Sequence, residues 1–142
     1  MQRKLAAIPL LLSLAIATPA QAEIWSCLYN GDWSTFNSTN KGKFNWSVVW
    51  QGKSGGSWKI TGDYSDRYGN SVLNGSCNNY ACNLTQVYQS GELKGNKYFW
   101  KGQYTDETSD SGKTINRFEG TWGETPKASD GPWQAIATCT KN

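Results

Sequence analysis

Hydrophobic and polar residues alternate along most of the chain after residue 22, and this two-residue period is the strongest constraint on the fold. In the stretch Phe44-Asn45-Trp46-Ser47-Val48-Val49-Trp50-Gln51, one face carries Phe, Trp, Val and Trp, and the other carries Asn, Ser, Val and Gln. A strand with one buried and one solvated face produces this pattern. No segment after residue 22 has a convincing 3.6-residue apolar period, so the sequence predicts an all-β protein.

Eight or nine strands are predicted, separated by clusters of turn residues. The predicted strands cover residues 24–29, a short stretch 33–37, then 44–51, 57–65, 71–77, 83–90, 97–105, 113–122 and 133–141. Gly, Asn, Asp and Ser fill the intervals, including residues 30–32 and 109–112. Short strands joined by tight turns form an antiparallel meander. The fold is therefore an up-and-down barrel or, as the alternative, a two-sheet sandwich.

The first 22 residues predict a signal peptide that is cleaved after Ala22. Arg3 and Lys4 precede an apolar run, and Ala20-Gln21-Ala22 has the small-x-small pattern of a cleavage site. Removal of this segment leaves one β-barrel domain over residues 23–142, periplasmic or secreted, and lowers the formal net charge from +3 to +1. The remaining lysines are dispersed, and no other apolar run is long enough to cross a membrane. Neither a nucleic-acid partner nor a membrane span is predicted.

Four cysteines follow the predicted signal and indicate two disulfides in an oxidising compartment. Cys77 and Cys82 are close enough in sequence for a local bridge, and this pairing leaves Cys27 and Cys139 for the second. That second bridge would make the first and last strands neighbours, as closure of a barrel requires, so the barrel is favoured over the sandwich. Lipid attachment at Cys27 is an alternative that would leave an odd thiol.

The core is expected to consist mainly of aromatic rings. Eight Trp, seven Tyr and four Phe follow residue 22, against twelve Ile, Leu and Val. Three predicted strands repeat the order large apolar residue, any residue, Gly, any residue, aromatic residue, at residues 60–64, 100–104 and 118–122. By strand alternation the three defined positions share the inner face. An inner Gly leaves room either for packed rings, which would fill the barrel, or for an open pocket.

Catalysis is not expected, because the chain lacks the groups that most mechanisms need. It contains no His, and its single Met is residue 1, which excludes an imidazole base or metal ligand. All cysteines are expected to be oxidised, so no thiol nucleophile is expected either. Asp106, Glu107 and Asp110 are interpreted as a solvated acidic turn. No metal and no cofactor are predicted.

The leading hypothesis is a small exported binding protein that holds a small or hydrophobic aromatic ligand in an aromatic-lined barrel. The predicted ligand-binding residues are Trp50, Trp58, Trp100, Tyr104 and Trp122. One alternative is an inhibitor or immunity factor that contacts a cell-envelope hydrolase through loops containing Arg67, Tyr68 and Tyr80. Another alternative is carbohydrate recognition by Trp25, Trp33 or Trp133, which would require these rings to face solvent.

The Gly-aromatic repeats also resemble a known family. Ile-Thr-Gly-Asp-Tyr-Ser at 60–65, Trp-Lys-Gly-Gln-Tyr at 100–104 and the strand that ends at Trp122 resemble hairpins of avidin and streptavidin, which are secreted eight-stranded barrels that bind biotin. The resemblance covers roughly residues 58–122 and implies that Trp100 and Trp122 stack on a ligand ring. The first strand departs from the family pattern, with Cys27 and only a loosely similar stretch at 33–36. The last strand lacks the carboxylate that the family uses, so the resemblance implies the fold more than the ligand.

Overall fold

The structure, a computed structural model, describes residues 22–108 and 113–142. The predicted signal peptide therefore lies outside the described residues apart from Ala22, and so do Asp110 and the turn predicted at 109–112. Eight strands are present: β1 (Glu23–Ser34), β2 (Lys41–Gly52), β3 (Ser57–Asp66), β4 (Gly69–Asn78), β5 (Ala81–Tyr88), β6 (Lys97–Thr108), β7 (Thr114–Gly123) and β8 (Gly131–Lys141).

The eight strands form a closed antiparallel barrel in chain order. Each strand pairs with the next, and β8 pairs with β1 to close the sheet. The barrel prediction is therefore confirmed, and the sandwich alternative is wrong. Within the described residues, no helix of the length and apolarity needed to span a membrane is present.

The turn predicted at residues 30–32 is wrong, because β1 runs without interruption from Glu23 to Ser34. Asn30, Gly31 and Asp32 pair with β2 on one side and with β8 on the other. Gly31 faces inward beneath the ring of Phe44, and a Cβ at this position would lie only 2.2 Å from Phe44 Cζ. The glycine therefore serves close packing rather than chain reversal.

Both disulfides are formed with the predicted pairing. Cys27 is bonded to Cys139 across the β1–β8 junction, and Cys77 is bonded to Cys82 across the β4–β5 hairpin. Both bridges lie near the same end of the barrel, where the β2–β3 and β4–β5 turns also lie. We call this end the disulfide end. Two disulfides are consistent with an oxidising, exported location.

The middle of the barrel is filled by a layer of packed rings. Trp46 lies at its centre, 1% exposed, with ring centroids 5.2 Å from Trp133 and 5.9 Å from Phe118. The repeated glycines make room for these rings: Gly102 and Gly120 face each other across β6 and β7, and a Cβ on Gly102 would lie 2.6 Å from Trp133. The inner-face prediction for the repeats is confirmed. The interior is solid in the middle and open only at its two ends.

Candidate functional site: a ring-lined cavity at one end of the barrel

The end of the barrel opposite the disulfides contains a cavity of about 240 Å³. The β1–β2, β3–β4, β5–β6 and β7–β8 connections surround it. Its walls consist mainly of aromatic rings, contributed by Trp33, Tyr64, Tyr68, Tyr88, Tyr98, Trp100 and Trp122. Asp66 lies among these rings, so we call this region the Asp66 cavity and this end of the barrel the Asp66 end.

The carboxylate of Asp66 is held in place by three hydrogen bonds. Its Oδ2 accepts bonds from the hydroxyls of Tyr64 (2.7 Å) and Tyr88 (2.6 Å), and its Oδ1 accepts a bond from the backbone N–H of Tyr68 (2.8 Å). The last bond is local, since Asp residues commonly bind the backbone two residues further on in a tight turn. The two-residue turn between β3 and β4 thus orients the carboxylate, and the tyrosines fix it.

The position of Ser71 explains how tyrosines from two strands reach the same carboxylate. Tyr64 on β3 and Tyr88 on β5 each pair with Ser71 on the intervening strand β4. Because serine is small, both phenols can converge above it. Burial is the main reason that the pKa of Tyr64 and that of Tyr88 are raised well above the ordinary value of a phenol, and their bonds to Asp66 raise them further. Both side chains therefore remain protonated donors at neutral pH.

Two of the indole rings in the walls, those of Trp100 and Trp122, are also held by hydrogen bonds. Trp100 donates its Nε1–H to the amide oxygen of Gln86 (2.8 Å), and Gln86 in turn donates to Ser71 (2.9 Å). Trp122 donates its Nε1–H to the carbonyl oxygen of Ser34 (2.9 Å). The Nε1–H groups of Trp100 and Trp122 are therefore satisfied, and these bonds hold both rings in place as walls of the cavity.

An arginine covers part of the rim. The guanidinium of exposed Arg67 lies 4.9 Å from the ring centroid of Tyr68 and 5.8 Å from that of Trp33, and it donates a hydrogen bond to the Tyr68 hydroxyl. Both distances are within the range of cation–π attraction. The charged side chains that line the cavity itself are Asp66 and Glu124, and no described Lys or Arg is among its lining residues.

The five predicted ligand-binding residues do not share one cavity. Trp100 and Trp122 lie in the walls of the Asp66 cavity. Trp50, Trp58 and Tyr104 lie at the disulfide end, in a second cavity of about 360 Å³. The packed layer around Trp46 separates the two groups. The sequence placed all five on the inner face, but alternation does not tell at which height along the barrel a ring lies.

The second cavity contains its own polar chain. Tyr29 donates to the Asn116 side-chain oxygen (2.5 Å), and the Asn116 amide donates to Asp106 (2.7 Å). The buried Nε1–H of Trp50 has no hydrogen-bond partner among the described residues. Asp106 and Glu107 belong to β6, so their interpretation as part of a turn is wrong. They remain exposed to solvent, as expected.

The residues predicted for the two alternative functions, protein inhibition and carbohydrate recognition, also lie in different parts of the barrel. Arg67 and Tyr68 lie at the Asp66 end, whereas Tyr80, which is 63% exposed, lies in the β4–β5 turn at the disulfide end. They therefore do not form one contact surface. Of the tryptophans considered for carbohydrate recognition, Trp133 is buried in the central layer, and Trp25 and Trp33 are partly buried against the core.

Sequence reasoning missed the polar centre of the Asp66 cavity. Asp66 was expected only to belong to a turn, and Gln86 and Tyr88 only to belong to a strand. One signal was available, because Leu84, Gln86 and Tyr88 alternate on the face that β5 buries, which places a glutamine in the core. A buried polar side chain requires a partner, and this requirement points to a polar site nearby.

Comparison with models of known protein families, with curated proteins and with solved structures found no match for this chain. The functional interpretation therefore depends on the chemistry of the two cavities.

Proposed function

We propose that this protein is a non-enzymatic binding protein that holds a small ligand against the aromatic walls of the Asp66 cavity. The observation that carries the proposal is that the cavity is preorganised. Trp100 and Trp122, two of the three wall tryptophans, and the central carboxylate are fixed by hydrogen bonds to the barrel. A preformed concave site with mostly apolar walls and a few oriented polar groups is the usual form of a ligand site.

The dimensions favour a ligand of modest size. Pockets for drug-sized molecules enclose about 300–1,000 Å³, and the Asp66 cavity encloses about 240 Å³. One or two small rings, or a compact branched group, would fill it. Stacking or edge contact with Trp122 and Trp100 would supply most of the buried area.

Binding rather than catalysis fits the titratable groups that face the cavity. The phenols of Tyr64 and Tyr88 both donate hydrogen bonds to Asp66, and burial raises their pKa values further above neutral pH, so they act as donors that orient the carboxylate. If the sequence resemblance to avidin and streptavidin extends to the site, Trp100 and Trp122 are the rings expected to stack on the ligand. The predicted signal peptide and the two disulfides favour a periplasmic or secreted protein.

Native mass spectrometry of the protein purified gently from its own host, followed by denaturing extraction, tests the proposal. We expect wild-type protein to carry a small molecule that Trp122→Ala protein has lost. Trp25→Ala is the matched control, because Trp25 is also a partly buried tryptophan but lies at the disulfide end. Equal loss from both variants, or a wild-type protein that elutes empty and binds none of an added panel of small aromatic compounds, would contradict the proposal.

A further inference from the structure

Asp66 forms no ion pair with a basic side chain among the described residues. Its three hydrogen bonds come from neutral donors, two phenols and one backbone N–H. The ion pairs found among the described residues join Lys43 to Asp32, Arg117 to Glu107 and Lys141 to Glu23, and none of them involves Asp66. A partly buried carboxylate that forms no direct ion pair contributes a negative potential inside the cavity, and this potential favours a cation.

The rings around this carboxylate add to the same potential. The face of an aromatic ring is the negative part of its quadrupole and attracts cations within about 6 Å. Trp33 and Tyr68 already attract one, since the Arg67 guanidinium lies over both rings at the rim. This contact shows that the ring faces at the mouth are accessible to a positive group. Glu124 adds a second carboxylate to the lining.

We infer that the Asp66 cavity selects an organic cation of the substituted-ammonium type, with its positive group among the rings and directed towards Asp66. This inference rests on the proposed function and specifies the chemical class of the ligand. An alkylated ammonium fits better than a bare one. Asp66 Oδ2 already accepts two hydrogen bonds, whereas an ammonium covered by methyl groups needs no acceptor and gains from contact with rings.

The rim arginine has a defined role in this arrangement. Arg67 is an internal cation placed over two rings of the mouth, so it repels an incoming cation and competes with it for Trp33 and Tyr68. Removal of its charge should therefore strengthen binding. A cavity that selects anions predicts the opposite, because Arg67 would then be the nearest attractive group.

Isothermal titration calorimetry with two matched probes tests the charge preference. Choline carries a trimethylammonium group, and 3,3-dimethylbutan-1-ol has the same shape with carbon in place of nitrogen. We expect wild-type protein to bind choline about tenfold or more tightly than the alcohol, a difference typical of desolvated cation–π contacts. The choline affinity should fall as salt is added, and that of the alcohol should not.

Three variants connect this preference to the named residues. Asp66→Asn should lower the choline affinity by about tenfold, and it should lower the affinity for the alcohol by less. Arg67→Ala should raise the choline affinity by about threefold, while Lys53→Ala, which removes an exposed cation at the disulfide end, should leave it unchanged. Because Asp66→Asn perturbs the tyrosine contacts, the Arg67→Ala result and the salt dependence provide tests that do not need that variant to fold.

Equal affinity for choline and the alcohol would overturn the inference and leave the proposed function intact. A neutral or anionic molecule released by denaturing extraction would do the same. Failure of both probes to bind at 10 mM would also overturn it, and the extraction experiment would then decide the proposed function separately. Vesicles of phosphatidylcholine distinguish the source of the group: binding to them that free choline reverses indicates a lipid headgroup, whereas binding of choline alone indicates a free molecule.

Discussion

The two ends of the barrel hold similar rings by different means. At the disulfide end, Trp50, Trp58 and Tyr104 surround a cavity next to two covalent bridges. At the Asp66 end, the described residues contain no disulfide, and the walls are held by hydrogen bonds that converge on Asp66 and Gln86. The polar chain at the disulfide end reaches the surface at exposed Asp106, whereas Asp66 lies among rings.

This difference shows how rigidity and recognition can be separated within one small barrel. At the disulfide end, covalent bridges fix the closure of the sheet. The other end depends on a carboxylate and its donors, which are the groups that a charged ligand would meet. The packed rings between them keep the two cavities distinct.

Loss of the bridge that closes the barrel should have the largest effect on stability. Replacement of Cys27 and Cys139 by Ser removes a link with a sequence separation of 112, and replacement of Cys77 and Cys82 removes one with a separation of 5. By loop-closure entropy the expected losses are about 5 and about 2 kcal/mol. Urea unfolding of the two double variants measures the difference. Equal losses in the free energy of unfolding would show that loop-closure entropy does not determine how much each bridge stabilises the protein.

Replacement of the Asp66 carboxylate should have the next largest effect on stability. Asp66→Asn deprives two buried phenols of their shared charged acceptor, and we expect a loss of about 2–3 kcal/mol in the free energy of unfolding. Asp106→Asn is the matched control at the other end, where one hydrogen bond from Asn116 to an exposed carboxylate is changed, and it should lose less than about 1 kcal/mol. Thermal and urea unfolding of both variants measure the contrast, and similar losses would remove the distinction between the ends.

Two tryptophans of the central layer provide a finer test. Trp133 donates its Nε1–H to the carbonyl oxygens of Lys101 and Thr121, whereas the buried Nε1–H of Trp46 has no partner among the described residues. Replacement by Phe reduces ring volume at both positions, but only Trp133→Phe removes hydrogen bonds. We expect the free energy of unfolding of Trp133→Phe to be about 1 kcal/mol lower than that of Trp46→Phe. The reverse order in urea unfolding would indicate that Trp46 donates a bond in solution.

Alkaline pH should destabilise the protein in a way that both ends share. Burial raises the pKa of Tyr104 to about 12 and raises that of Tyr88 as well. A raised pKa in the folded state leaves stability unchanged below about pH 10, the ordinary value for Tyr, and reduces it as the pH rises from there towards 12. Because the hydrogen bond from the Tyr104 hydroxyl to the carbonyl oxygen of Asn79 is only partly buried, the share of Tyr104 should stay below about 1 kcal/mol.

Urea midpoints of wild-type and Tyr104→Phe protein at pH 8, 10 and 11 measure this effect. The variant should lose less stability between pH 10 and 11 than the wild type does. A loss of equal size would show that Tyr104 ionises normally in the folded protein.

The fold could be predicted because its determinants are local or covalent. Alternation along each strand and the spacing of four cysteines predicted the closed barrel and both bridges. The break expected at Gly31 failed for a non-local reason, since the ring that needs the space, Phe44, belongs to the next strand. Turn composition alone does not distinguish a glycine that reverses the chain from one that lies under a ring.

The candidate site was predicted only in part, because its contacts also join strands that are not adjacent in sequence. Trp100 and Trp122 could be named because they end or begin a repeated motif. The convergence of Tyr64 and Tyr88 on Asp66 depends on the register of three strands around Ser71. Register across a sheet depends on the packing of all the strands together, so one strand read alone does not reveal it.

The seam between β1 and β8 has a topological consequence. Glu23 and Lys141 form an ion pair, and the backbone N–H of Asn142 donates to the carbonyl oxygen of Ile24. A short peptide could join residues 23 and 142, and the ring could then be cut in the exposed connection between β7 and β8. Such a circular permutant would keep every strand neighbour, and its new termini would flank the Asp66 cavity. In a closed barrel whose strands pair in chain order, the gene decides which strand comes first, and the pairing of the strands does not depend on that choice.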